Sequence, residues 1–218
     1  MTRAFPVLCL CATAACVVHF TPAVTPQKVP PVSPRIQARA LLLITPSFAG
    51  YLSREKNGVQ QVFHYGEAGT KALSALVSES FTVVEVRQLA AADVQRLMAG
   101  PADTSIADIL LVPSFEGAAA RLRLTEGDPV YIPAAVVDSI QVSSVMSGEI
   151  TAWVKVRVDA RSLRTGSTFT WLTVGDTGPV QSSWGRASGL ALERALHVLS
   201  DSLTAHRKEL ELGGRKAN

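Results

Sequence analysis

Cysteine is nearly missing from this chain: Cys9, Cys11 and Cys16 are the only thiols among 218 residues, and everything after position 16 has none. That excludes an internal disulfide framework and any cysteine-ligated metal site in the body of the protein. Charge is also sparse, at 18% of residues with a net +3. A mainly disordered chain or an acidic tail protein needs far more charge and fewer apolar residues than the 47% present here. The positive excess is spread along the chain, with no Lys/Arg block, so no nucleic-acid interface is expected. The N-terminal leader holds roughly a dozen apolar residues, short of the ~20 that a membrane-crossing helix requires, and nothing later in the chain supplies such a run. What remains is enough apolar chain to bury the core of one domain.

The three cysteines sit in MTRAFPVLCLCATAAC, which has one Arg at the front, an apolar middle and small residues at the end. This is the layout of a secretory signal peptide, residues 1–15. Thr13-Ala14-Ala15-Cys16 resembles a bacterial lipobox, in which cleavage before the cysteine leaves its thiol to carry lipid. Thr13 stands where leucine is usual. The alternatives are an ordinary signal cleaved after Ala15 or Ala23, and a buried N-terminal strand. Val17, rather than Asp, follows Cys16, which by the usual Gram-negative sorting rule directs the product to the outer membrane. Residues 16–38 contain Pro22, Pro26, Pro30, Pro31 and Pro34 and are expected to form an extended, unpacked tether. At ~3.1 Å per residue such a tether reaches ~60 Å, and a truncation at Arg39 would leave a soluble domain.

Residues 39–212 read as one domain, with a flexible tail at 213–218. Leu41 to Ile44 is an apolar strand stopped at Pro46, and Asn57-Gly58 marks a hairpin turn within a loop or β-ribbon from Gly50 to Tyr65. Ala72, Leu73, Leu76 and Val77 recur at helical spacing, Phe81 to Val86 is a second strand, and Ala90 to Ala99 a short helix burying Val94, Leu97 and Met98. Ile109 to Val112 is a third strand. Its Pro113-Ser114-Phe115 echoes Pro46-Ser47-Phe48, as though two neighbouring parallel strands leave the sheet at one level. A strand resumes from Ala118, and Val136–Met146, Ile150–Val158 and Thr168–Val174 are further candidates. Arg186 to Leu210 forms a long amphipathic helix, with His206 on its apolar stripe. Early crossovers followed by turns predict an α+β fold: a mixed sheet with helices packed mainly on one face.

This order of elements, with its ADILLVPSF strand and its lipoprotein-like leader, resembles the anticodon-binding-like fold of the TolB N-terminal domain. The envelope lipoproteins of curli secretion, flagella and polysaccharide export (CsgG, FlgO and PelC) are similar in the same way. The resemblance implies an exported envelope protein facing the periplasm, and no alternating apolar hairpin suggests a pore.

Catalytic patterns are weak. Ser53-x-x-Lys56 has the spacing of an activated serine but lacks its companion motifs, and Gly66-Glu67-Ala68-Gly69-Thr70-Lys71 has a phosphate-loop flavour with Lys and Thr in the wrong order. His64, His197 and His206 show no metal-ligand spacing, and the last two fall on opposite sides of a helix. No metal, no cofactor and no enzymatic activity are expected. Trp153, Phe169, Trp171 and Trp184, with Lys155 and Arg157, form either a partner or ligand surface or a covered core. Arg121, Arg123, Arg161 and Arg164 join Lys155 and Arg157 as a candidate basic face. The reading is a lipid-anchored structural or interaction component of an export, assembly or surface-appendage machine, working with envelope proteins and suited by its small-residue helix to homo-oligomers. An auxiliary lipoprotein of a lipid or lipopolysaccharide transporter is the alternative, and a periplasmic hydrolase using His64 or His197 a third.

Overall fold

The computed structural model describes residues 19–57, 59–123 and 149–212. Cys16 and the candidate strand Val136–Met146 lie outside them. Strands β1 (His19–Phe20), β2 (Ile36–Ile44), β3 (Ser53–Asn57), β4 (Val59–Phe63), β5 (Phe81–Gln88), β6 (Ile109–Arg123), β7 (Glu149–Ser162) and β8 (Thr168–Val180) alternate with helices. The helices are α1 (Pro46–Ala49), α2 (Tyr65–Ser80), α3 (Ala91–Ala99), α4 (Trp184–Ala205) and α5 (Arg207–Leu212). A five-stranded sheet runs β5-β2-β6-β7-β8, parallel through its first three strands and antiparallel thereafter. The expected α+β class, with its mixed sheet, is what the chain adopts. The ribbon foreseen around Asn57-Gly58 is β3–β4, which pairs with β1 as a separate three-stranded sheet, β1-β4-β3.

Alternation sorts the side chains of β2 between two cores. Ala40, Leu42 and Ile44 join the main core under α2 and α4, with Val154, Val156 and Val158 of β7. Leu41 and Leu43 face the other way, where Val94 of α3, Ala107, Leu110 and Leu163 bury them in a smaller cluster. Among the described residues the helices therefore lie mainly on one face, and α3 covers one corner of the other.

The second Pro-Ser-Phe does not leave the sheet, contrary to the sequence reading. Pairing of β6 with β2 ends at Leu111, yet pairing with β7 continues through Pro113 opposite Val158 to Arg123, past a bulge between Phe115 and Gly117. Proline lacks only the N–H, so it ends one ladder while the other persists. The echo serves packing instead: Phe48 and Phe115 stack with ring centroids 4.7 Å apart, and Tyr51 stacks on Phe115 at the same distance.

The proline-rich segment is the larger departure. From Thr21 to Arg35 it forms a strap laid over the helices rather than a free tether. Pro22, Val29 and Val32 are buried. Val32 N donates to Ser80 Oγ at 3.0 Å, Ser200 Oγ donates to the Pro30 carbonyl at 2.9 Å, and Lys28 pairs with Glu79 at 2.8 Å. Gly185 and Gly189, one turn apart on α4, let the backbone in: a Cβ at either would lie 2.0 Å from the Ala23 carbonyl or 2.3 Å from that of Thr25. Proline suits a buried strap as well as a free one, since it is already extended and brings no donor that needs a partner.

At the base of the sheet, Asp108 is 4% exposed and accepts from Arg39 N at 2.8 Å and from Arg164 Nε at 3.0 Å, with the Arg39 guanidinium closing a second side at 3.2 Å. Burial pushes its carboxyl up, but the hydrogen bonds of Arg39 and Arg164 and the charge of Arg164 prevail and hold it below the usual carboxylate range. A depressed pKa contributes stability above the unfolded value near ~4 and loses it as pH falls through the folded value. Asp108→Asn is expected to cost about 2 kcal/mol at pH 7, moderated because both arginines reach solvent. The gap from wild type should close below pH ~4 in urea titrations; a gap independent of pH would refute the charge account.

Candidate docking surfaces

Among the described residues no helix covers one face of β6, β7 and β8. Register sets its members: Ala119 opposite Trp153, Gly117 opposite Lys155, then Trp153 opposite Asp176, Lys155 opposite Val174, Arg157 opposite Leu172 and Asp159 opposite Thr170. Trp153 is held against Gly117, where a Cβ would come within 2.8 Å of the indole. That glycine explains how a ring 37% exposed keeps a fixed place on an open sheet. Leu172 and Val174, both about half exposed, extend the apolar patch along β8. Asp159 takes Arg157 Nε at 3.1 Å and the Thr170 hydroxyl at 2.7 Å, and its hydrogen bond raises the pKa of Arg157. The patch thus pairs an aromatic anchor and two aliphatic side chains with an oriented guanidinium, the composition favoured at protein contacts.

The structure divides the aromatic set chosen from the sequence. Phe169 and Trp171 pair with Ala160 and Val158, on the face opposite Trp153. Trp171 is buried, stacked at 5.8 Å on Phe169 and tilted against His206, whose Nδ1 lies 2.9 Å from the Ser202 carbonyl and 3.4 Å from Trp171 Nε1. Trp184, also buried, starts α4 beside Phe63. From Trp153 to Asp159 the odd positions of β7 pair with even positions of β8, so Trp153 shares its face with Asp176 and Val174, while Trp171, Phe169 and Trp184 take the covered-core alternative in the main core or at its margin.

The basic face shrinks likewise. Arg161 donates to the Leu97 and Met98 carbonyls at the end of α3, and Arg164 serves Asp108. Arg121, exposed, and Lys155 and Arg157 remain on the open face, while Arg123 pairs in register with Glu149 at the end of β6.

Ser53 and Lys56 lie on a strand, where positions three apart point to opposite faces, and Ser53 Oγ donates to the Ala118 carbonyl at 2.6 Å. Lysine activation of that serine has no geometry here. Gly66 to Lys71 lies in the first turns of α2, and Gly66 is small because α1 crosses it: a Cβ would meet the Ala49 carbonyl at 2.3 Å. His197 is exposed on α4, and His64, exposed before α2, lines a groove with the strap. Among the described residues no group of three or more His, Cys, Asp or Glu is placed to hold a metal, and no helix is long and apolar enough to cross a membrane.

That groove, about 660 Å³, lies between strap residues Thr21–Val29 and the Glu67, Lys71, Ala75 and Glu79 face of α2. Sequence reasoning missed it with the strap. The signal was present as Gly185-x-x-x-Gly189, two glycines on one side of a helix, which admit a backbone. The small residues Ala187, Ala191 and Ala195 of α4 are fully buried in the domain's own core, where they pack within the domain.

No protein-family profile matches this chain, and no curated protein sequence matches it. Among solved structures it is similar to a Xanthomonas campestris protein of the family DUF330, at 13% identity over 90% of this chain and 96% of that one, TM-score 0.42. It is also similar to the PelC dodecamer of Paraburkholderia phytofirmans, at 11% identity over 80% and 95%, TM-score 0.29. A neuraminyllactose-binding hemagglutinin homologue of Helicobacter pylori gives 11% identity over 86% of each chain, TM-score 0.29. No residue role passes to this chain from these likenesses.

Proposed function

We propose that this protein is a lipid-anchored, non-enzymatic component of the cell envelope, held at the periplasmic face of the outer membrane by acyl chains on Cys16. There its α+β domain serves as an interaction part of an export, assembly or surface-appendage machine. The observation that carries the reading is the leader: an apolar stretch too short to span a bilayer, ending in small residues at the last cysteine of the chain. The open sheet face around Trp153, Leu172 and Val174 supplies the docking surface that an interaction role needs.

Metabolic labelling with a fatty-acid analogue tests the anchor. Wild type is expected to take the label and sediment with membranes, and Cys16→Ala to lose both properties; a wild type that never acquires label contradicts the reading. Detergent pull-downs then test the surface. Leu172→Ser with Val174→Ser should release the captured envelope proteins while changing stability by less than about 1 kcal/mol, because both side chains are about half exposed on the open face.

A second reading, an auxiliary lipoprotein of a lipid transporter, draws on the groove beside α2, lined by Val24, Val29, Ala68, Ala72 and Leu76 along with polar residues. Its test is organic extraction of the purified domain, with a stoichiometric lipid supporting it and none opposing it.

A further inference from the structure

The docked strap changes where an anchored domain would sit. A free segment from residue 16 to 38 would hold it ~60 Å from the bilayer. Instead the chain is fixed to the domain from His19 onward, through pairing of His19 with Gln60 and Phe20 with Gln61 in β4. Only three peptide units separate Cys16 from His19, so at 3.8 Å per unit their Cα atoms are at most about 11 Å apart.

The point of entry is defined as well. Gln60 pairs with His19 on one side and with Lys56 of β3 on the other, so the chain arrives level with Lys56, next to the tip of the β3–β4 ribbon. Tyr51 stacks on Phe115 and Ser53 bonds to Ala118, so β3 advances along β6 in the same direction and its tip points to the pole toward which β6 runs. Strand alternation divides the ribbon: Ser53 is buried toward β6 and Glu55 shares its face, while Arg54 and Lys56 are exposed on the other face with Gln60 and Val62 opposite them in register. The outward face beside the anchor thus carries two cations and no carboxylate among those four positions.

We propose that this outward face of the ribbon, through Arg54 and Lys56, rests on the phosphates of phospholipid headgroups, so that the domain is apposed to the bilayer rather than suspended from it. The proposal rests on acylation of Cys16. Each cation near an anionic surface contributes modestly, which suits a contact that orients a molecule already tethered by its acyl chains. The turn between β7 and β8 is at the opposite pole: it joins the sheet at Ile109, nine residues back along β6 from Ala118, or roughly 30 Å at ~3.3 Å per residue.

The test uses the native acylated protein in vesicles of phosphatidylethanolamine and phosphatidylglycerol with headgroup-attached quenchers. A fluorophore is placed on Gln60→Cys or, separately, on Ser167→Cys. The expected result is at least threefold stronger quenching at position 60 than at 167, reduced at least twofold when Arg54→Glu and Lys56→Glu are added. Equal quenching at both positions in protein whose mass shows acylated Cys16 overturns the apposition and leaves the anchor standing. Unequal quenching that charge reversal does not alter overturns the headgroup contact. A mass showing unmodified Cys16 removes the anchor and this orientation together.

Discussion

A chain that begins at Arg39 instead of His19 is expected to lose its cooperative unfolding transition, although composition alone marks residues 16–38 as dispensable. The truncation removes Val29, Val32 and Ile36, all 5% exposed or less. Burying each such side chain contributes about 1.5–3 kcal/mol, so the three together reach roughly 5–9 kcal/mol as an upper estimate. That is comparable to the whole stability of an ordinary domain, about 5–15 kcal/mol. It also opens the backbone contacts of Gly185 and Gly189, strips Ser80 and Ser200 of their strap partners, and breaks the pairing of Ile36 with Phe81 at the start of β2. Urea unfolding of chains starting at His19 and at Arg39 decides the matter. Midpoints that differ by the equivalent of less than about 1 kcal/mol would mean that the strap only leans on the domain.

Gly175→Val is expected to be nearly as damaging, by at least ~3 kcal/mol, because α4 crosses β8 there at backbone distance. A Cβ on Gly175 would stand 1.9 Å from the Ala191 carbonyl oxygen and 2.5 Å from Ala195 N. Both neighbours are helix backbone, so relief requires moving α4, and with it Leu192, Leu196 and Leu199 of the main core. Gly166→Ala is the control. It has open space around it but a φ of 76°, so its cost is conformational, about 1 kcal/mol. Thermal unfolding of the two variants should rank them in that order; equal shifts would contradict the close-packed crossing.

The fold was legible where periodicity was strong. Leu73, Leu76 and Val77 gave α2 its buried face, Val154, Val156 and Val158 gave β7 its inner row, and Asn57-Gly58 marked the ribbon. Two misreadings came from residues whose local meaning is ambiguous. Pro113 ends a ladder on one side of a strand only, and proline-rich chain looks the same whether water or a helix surface lies beside it. What separates the cases is non-local: the backbone at Ala23 and Thr25 needs the close approach that Gly185 and Gly189 allow some 160 residues later, and single-segment patterns carry no such pairing. The candidate surface was legible in part. Trp153, Lys155 and Arg157 were placed together by alternation, but joining Trp171 and Phe169 to them needed the register across β7 and β8, which sets Trp171 against Val158 instead.

The anchor decides the biological reading, and intact-mass spectrometry of the protein purified from its native membranes tests it most directly. The account predicts a chain starting at Cys16, heavier than the bare residue by its acyl groups. A product that retains Met1, or one cleaved after Ala23 with no lipid, would contradict it.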